Sequence, residues 1–137
     1  MNARPYAYRQ IVATLHACRS DLLDDKLLLS TTLTAIRNAN MCLARTKTKN
    51  PLVYKVRDDV MGGGVSVNAI ITTSHLTVHT SKLYGTAEFD CATCGRAGDP
   101  LAALATFRRV LRPTHVTIHH ESGETHDQVM SASTIKA

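Results

Sequence analysis

Three short segments in the middle of the chain constrain the fold more than any other part. Residues 65–72 are rich in β-branched side chains, and residues 75–80 alternate between polar and apolar side chains. Alternation places the two kinds of side chain on opposite faces of a strand. Tyr84-Gly85 suits a turn, and residues 86–93 have the pattern of a return strand. The segments therefore predict adjacent strands with one apolar face.

The other segments complete a mixed pattern of helices and strands. They are a strand at 8–18, a helix at 21–40, a second strand at 41–46, a loop or irregular edge at 47–59, a helix from Asp99-Pro100 to Arg112-Pro113, and a last strand at 115–119. This order predicts an α+β fold, a two-layer α/β sandwich whose antiparallel sheet carries helices on one face. The polar tail from Ser122 to Ala137 is expected to add one short element at most.

Length and composition are those of an ordinary soluble domain. The 137 residues suit one domain spanning 1–137, with 44% hydrophobic residues and no tryptophan. No run approaches the roughly 18 apolar residues that a membrane span needs. The N-terminus lacks the apolar segment of a secretory signal. We therefore expect a cytoplasmic protein with no membrane partner.

The positive charge is concentrated in the first half of the chain. Residues 1–73 contain 10 Lys/Arg and 5 Asp/Glu, whereas residues 74–137 contain 6 of each. Half of those ten lie in a basic strip: Arg45, Lys47, Lys49, Lys55 and Arg57. Such a strip is found in nucleic-acid or anion sites, and also in solvated loops and edge strands. We favour the second interpretation and expect no nucleic-acid partner, because no aromatic base-stacking pattern accompanies the charge.

Two other motifs give weak functional signals. The four cysteines, at 18, 42, 91 and 94, are expected to be free thiols in a cytoplasmic protein. Cys91-X-X-Cys94 has no second cysteine pair, so no metal site is predicted. The glycines at 62–64 are not followed by Lys-Ser/Thr, as a phosphate-binding loop would require.

A serine, two histidines and a cysteine lie at a characteristic spacing in this part of the chain. The matching segments are Ser74-His75-X-Thr77-X-His79-Thr80, Asp90-X-X-Thr93-Cys94-Gly95, and Gly64-Val65-Ser66 upstream. Taken singly, the serine and histidine suit ordinary strand residues, and the cysteine suits a small core residue. Together, across about residues 8–121, they resemble the small prokaryotic S-adenosylmethionine decarboxylases, which make a pyruvoyl cofactor by cutting their own chain before an internal serine.

The resemblance implies a role for each matching residue. Cleavage between Thr73 and Ser74 would leave a β chain of residues 1–73 and an α chain of residues 74–137. Ser74 would become the pyruvoyl group, which forms a Schiff base with the substrate amine and withdraws electrons during decarboxylation. Ser66 and His79 would assist the processing, and Cys94 would protonate the substrate α-carbon.

The family also implies polyamine synthesis and a homodimer of processed αβ units, with sites near the interface. One departure affects the cut itself, because the family has glutamate where this chain has Thr73. Since Ser74 is the nucleophile, we expect cleavage to persist, although more slowly.

The chain departs from the family where the nucleoside is bound. The family's Trp-Pro-Glu is replaced by Ser81-Lys82-Leu83, and Val60 stands where an aromatic residue supports adenine. Each lost stacking contact removes about 1–3 kcal/mol of binding. A smaller substrate, arginine or ornithine, is therefore predicted.

A cationic substrate needs carboxylates, and three lie at suitable positions. Asp58 and Asp59 adjoin Val60, and Glu88 lies on the predicted return strand; all three also suit solvated positions. The alternatives are S-adenosylmethionine decarboxylase proper and an uncleaved regulatory paralogue that binds an active partner subunit.

Overall fold

The computed structural model describes residues 7–122, which form a six-stranded sheet and two helices. The elements are β1 (Tyr8–His16), α1 (Asp25–Asn38), β2 (Leu52–Val56), β3 (Gly64–Ile71), β4 (Ser74–Ser81), β5 (Thr86–Cys94), α2 (Pro100–Leu111) and β6 (His115–Ser122). The strand order is β2-β3-β4-β5-β1-β6, and every neighbouring pair is antiparallel. The predicted α+β sandwich is confirmed.

Both helices pack on the same face of the sheet. α1 contacts β3 and β4, and α2 contacts β1 and β5. Leu76 and Val78 of β4 are buried beneath them, and the rings of Phe89 and Phe107 meet edge to face at 5.7 Å between centroids. The opposite side of the sheet, called here the open face, carries polar residues such as His79 and has no helix over it between residues 7 and 122.

Helix α1 begins later than predicted. The side chain of Asp24 caps it by accepting a hydrogen bond from the Leu27 N–H at 3.0 Å, so Asp21 lies before the helix. Its buried face also includes Thr31 and Thr32, whose hydroxyls donate to backbone carbonyls one turn earlier. Those internal bonds let two polar residues enter the core, which hydrophobic spacing alone does not predict.

The predicted strand at 41–46 was wrong. In this segment Leu43 forms an isolated bridge to Ile71, with hydrogen bonds from the Ala44 N–H to the Ile70 carbonyl and from the Thr72 N–H to the Cys42 carbonyl. The Asn50 side chain accepts from the Ile70 N–H and also donates to the Ile70 carbonyl, so the pairing with β3 does not extend into a strand. The predicted irregular edge at 47–59 contains β2, which is the outer strand of the sheet. The side chains of the basic strip are exposed there, and Lys55 lies on the edge strand itself.

Helix α2 was predicted accurately. Asp99 caps its N-terminus, Pro100 is its first residue, and Arg112 ends it in the left-handed conformation at φ 53°. The polar tail, predicted to add one short element at most, lies outside the described residues, apart from Ser122 at the end of β6. Between residues 7 and 122 no helix is long and apolar enough to cross a membrane.

Candidate active site

The peptide bond predicted to be cut lies in the tight turn between β3 and β4. Thr72 and Thr73 form the turn, and Ser74 is the first residue of β4, opposite Thr93 of β5. The Thr73 carbonyl oxygen accepts a hydrogen bond from the Cys94 N–H at 3.0 Å. The Thr73 and Thr93 hydroxyls lie 2.7 Å apart. The end of β5 therefore holds the carbonyl group of the Thr73–Ser74 bond.

Cysteine 94 is the residue of β5 nearest to this turn. It is half-buried at the strand end, next to the residue that pairs with Ser74. Cys91, three residues earlier, is fully buried in the core. Burial, together with the carboxylates of Asp90 and Asp99, raises the pKa of the Cys91 thiol to about 12. The two cysteines therefore differ in exposure, and only Cys94 lies where the sequence predicts a proton donor.

A second histidine, to which the sequence assigns no role, lies beside Ser74. The Nδ1 atom of His75 is 3.2 Å from the Ser74 Oγ. Its Nε2 atom is 3.3 Å from Asp90 Oδ1, and Gln10 Nε2 donates to the same carboxylate oxygen at 3.0 Å. These contacts form one continuous chain from the serine hydroxyl to a carboxylate.

The predicted processing pair lies near the other end of β4. Ser66 and His79 are directly opposite each other on β3 and β4, and Ser66 Oγ is hydrogen-bonded to His79 Nδ1. Behind them, the Thr80 hydroxyl accepts from the Val65 N–H and donates to the Leu22 carbonyl. Gly64 is required there, since a Cβ would lie 2.1 Å from the Thr80 carbonyl oxygen. The close approach of the two strands fixes the Ser66–His79 pair.

A cavity of about 440 Å³ opens beside His79. Its lining includes two of the four predicted substrate residues, Val60 and Glu88. The other two, Asp58 and Asp59, are not part of the lining, and Asp59 is paired with Arg57 instead. The lining also includes Tyr84, an exposed aromatic residue whose sequence pattern predicts only a turn.

The carboxylate of Glu88 is positioned by a chain of hydrogen bonds through residues of β1 and β6. The Thr14 hydroxyl donates to Glu88 Oε2 at 2.6 Å and lies 2.7 Å from His119 Nε2. A hydroxyl has one hydrogen, so the His119 Nε2–H must donate to Thr14. Among the described residues, Glu88 Oε1 has no hydrogen-bond partner. That second oxygen remains available to a ligand in the cavity.

The fold therefore brings the predicted residues together in two groups rather than one. Ser74 and Cys94 meet at the β3–β4 turn, and Ser66, His79, Val60 and Glu88 meet around the cavity. Five residues at about 3.3 Å each place His79 about 16 Å from Ser74 along β4. Within one chain, His79 does not reach the bond that it is predicted to help cut.

Comparison with known proteins identifies the family. The profile described as S-adenosylmethionine decarboxylase matches residues 9–122. An S-adenosylmethionine decarboxylase proenzyme of Pyrobaculum islandicum is 34% identical over 118 residues, 85% of this chain and 87% of that protein. An arginine decarboxylase proenzyme of Hyperthermus butylicus is 35% identical over 99 residues, 72% of this chain and 65% of that protein.

A solved structure gives the same fold. The crystal structure of the adenosylmethionine decarboxylase from Aquifex aeolicus superposes with a TM-score of 0.71, covering 88% of this chain and 94% of that chain at 21% sequence identity. At that identity the structural likeness shows the fold alone, whereas the profile and the relatives show the family. The chain therefore belongs to the S-adenosylmethionine decarboxylase family.

Proposed function

We propose that this protein is a self-cleaving, pyruvoyl-dependent decarboxylase of polyamine biosynthesis that acts on a cationic amino acid, arginine or ornithine. The observation that carries the proposal is the setting of the Thr73–Ser74 bond. Its carbonyl oxygen already accepts a hydrogen bond from the Cys94 N–H, the kind of contact that stabilises an oxyanion during acyl transfer. The relatives' names as decarboxylase proenzymes agree with a chain that is processed before it acts.

The residues around position 74 suit a pyruvoyl group. After cleavage the group would begin β4, where pairing with β5 fixes the backbone opposite Thr93. Its carbonyl would supply the electron sink that an amino acid needs in order to lose carbon dioxide. The Cys94 thiol, at the adjacent end of β5, would deliver a proton to the substrate α-carbon.

The cavity beside His79 supports a cationic substrate. Glu88 offers one carboxylate oxygen that has no partner within residues 7–122, while Thr14 holds the other. Tyr84 also lines this space, and a guanidinium or ammonium group binds well over an aromatic ring. A relative named as an arginine decarboxylase agrees with this substrate class.

A homodimer of processed αβ units would complete the site. The two groups of predicted residues lie about 16 Å apart on β4, so one chain cannot apply both to the same substrate. Two copies packed through their open faces in opposite directions would place His79 and Glu88 of one copy near residue 74 of the second. We therefore propose that each site is shared between two chains.

The second candidate is S-adenosylmethionine itself. The relative from Pyrobaculum islandicum carries that name, and the match covers more of both proteins than the match to the arginine decarboxylase does. Against it stand Val60 at the cavity and the loss of the family's Trp-Pro-Glu segment. The substrate assay described next includes this compound.

The mass of the purified protein under denaturing conditions tests the proposal. We expect two chains, residues 1–73 and 74–137, in place of the intact 14.9 kDa chain. The second should lack a free amino terminus and react with a carbonyl reagent. Carbon dioxide release is then compared for arginine, ornithine and S-adenosylmethionine. An intact chain would instead support a non-catalytic regulatory paralogue, and turnover of S-adenosylmethionine alone would refute the cationic substrate.

A further inference from the structure

We infer that His75 is the general base that activates Ser74 for self-cleavage, and that Asp90 positions it. This inference rests on the proposed self-cleavage but assigns the first chemical step to a residue of the same end of β4. The Nδ1 atom of His75 is 3.2 Å from the Ser74 Oγ, which is within hydrogen-bond reach. His79 lies about 16 Å further along the strand.

The contacts of His75 decide which of its nitrogens can take a proton. A carboxylate only accepts hydrogen bonds, so the Asp90 Oδ1 atom at 3.3 Å favours the tautomer with hydrogen on Nε2. The Nδ1 atom then carries a lone pair that faces the Ser74 hydroxyl. Gln10 donates to the same carboxylate at 3.0 Å and helps to hold it in place. A serine, a histidine and a carboxylate in this order form a nucleophile, a base and an orienting group.

The first step can be written with these groups alone. The Ser74 Oγ attacks the Thr73 carbonyl carbon while its proton passes to His75 Nδ1. The Cys94 N–H, 3.0 Å from the Thr73 carbonyl oxygen, stabilises the negative charge on that oxygen. The bond from the carbonyl carbon to the Ser74 nitrogen then breaks, and His75 returns the proton to that nitrogen. The products are a Thr73 ester on the Ser74 Oγ and a free Ser74 amine.

The later elimination needs a different base position. It removes the hydrogen on the Ser74 α-carbon and releases the Thr73 carboxylate, leaving a dehydroalanine that water converts to the pyruvoyl group and ammonia. His79 remains the predicted residue for the processing steps that follow the ester, delivered by a second chain. The two histidines of the Ser-His-X-Thr-X-His pattern would thus serve different steps.

The rate of cleavage during cell-free translation tests this assignment. We expect H75A to slow cleavage about 100-fold or more, the usual worth of a general base. D90N should slow cleavage less and change its pH profile, because an amide can also donate to the His75 Nε2 and favour the other tautomer. R109A is the control, because it removes an exposed side chain of α2 on the helix side of the sheet and should leave the rate unchanged.

Chemical rescue separates a base from a structural residue. Added imidazole should restore much of the cleavage of H75A and none of S74A, and all variants should unfold at similar temperatures. Cleavage of H75A at the wild-type rate would overturn the inference, and so would a slow H75A that imidazole does not rescue. A wild-type chain that is never cut would refute both this inference and the proposed function, whereas cleavage that ignores His75 refutes the inference alone.

Discussion

The two ends of β4 differ in the chemistry that they carry. The end at Ser74 has a hydroxyl, a histidine held by a carboxylate, and a backbone N–H that contacts the adjacent carbonyl oxygen. The region around His79, near the other end, has a cavity, an aromatic ring and the partly bonded carboxylate of Glu88. The first end suits attack on the peptide bond, and the second carries the recognition cavity together with His79, the residue predicted to act in later processing steps. One copy of the chain holds both, but they lie too far apart to act on one substrate.

Complementation between two inactive chains would give the largest effect. H79A by itself should be cleaved about 100-fold more slowly than the wild-type chain, because a catalytic acid or base is lost. Coexpression with S74A should restore cleavage of the H79A chain, since the S74A partner supplies an intact Ser66–His79 pair. Mass spectrometry distinguishes the two chains and measures the cut fraction of each.

In the control for this experiment, the helper chain carries substitutions at both ends of β4. A partner carrying S74A and H79A together should fail to restore cleavage, because no copy of His79 is then present. Rapid cleavage of H79A by itself would contradict the predicted role of His79. Failure of the S74A partner to help, when mixed dimers are demonstrably formed, would contradict the shared site.

The sequence linked Ser66 and His79 only through the family resemblance, and the hairpin explains why they meet. Partners in a hairpin are equally spaced about its turn, so the tight turn at Thr72–Thr73 places Ser66 opposite His79. The alternation in β4 identified Leu76 and Val78 as core residues. This alternation depends on residues that are close in sequence, so the local sequence pattern is enough to indicate it.

Other contacts could not be read from the sequence. The Thr14 hydroxyl reaches Glu88 because β1 returns to the middle of the sheet beside β5, a pairing of residues 74 positions apart. His75 and Asp90 meet on a diagonal between β4 and β5, whereas their directly opposite partners are Ala92 and Thr77. The error at residues 41–46 also involves a side-chain contact, since the Asn50 side chain, and not a backbone carbonyl, accepts from the Ile70 N–H.

Removing the Thr14 hydroxyl should affect recognition and leave cleavage intact. Valine has nearly the same shape as threonine, and Thr14 is only 6% exposed, so T14V mainly removes the hydrogen bond to Glu88. We expect the KM for the cationic substrate to rise about tenfold with little change in kcat, since a hydrogen bond to a charged group is lost. Steady-state kinetics on the processed enzyme measures both constants.

Two further variants test whether the lost hydrogen bond to Glu88 causes the rise in KM. T14S keeps the hydroxyl and should restore the wild-type KM. T117V removes the hydroxyl directly opposite Thr14 on β6, which contacts His16 rather than Glu88, and should have no effect. Equal KM values in T14V and the wild type would show that the cavity recognises its substrate without a positioned Glu88. A fall in kcat with unchanged KM would show that Thr14 affects the chemical step at the Ser74 end and not substrate binding.

The smallest effect concerns the two cysteines of β5, Cys91 and Cys94, which lie three residues apart at the Ser74 end. At pH 8, iodoacetamide should modify exposed Cys42 and, more slowly, half-buried Cys94, whereas Cys91 stays unmodified because its pKa is raised to about 12. Peptide mapping by mass spectrometry measures each site.

The same shift of the Cys91 pKa gives stability a pH dependence. An unfolded chain loses this proton as the pH rises through 9.0, while the folded chain keeps it until about 12. The stabilising contribution is therefore complete below pH 9, and the free energy of unfolding falls across the interval from about 9 to about 12. Denaturant titrations should show a steeper alkaline loss in the wild type than in C91A. Equal slopes, or alkylation of Cys91 at pH 8, would mean that burial does not protect the Cys91 thiol.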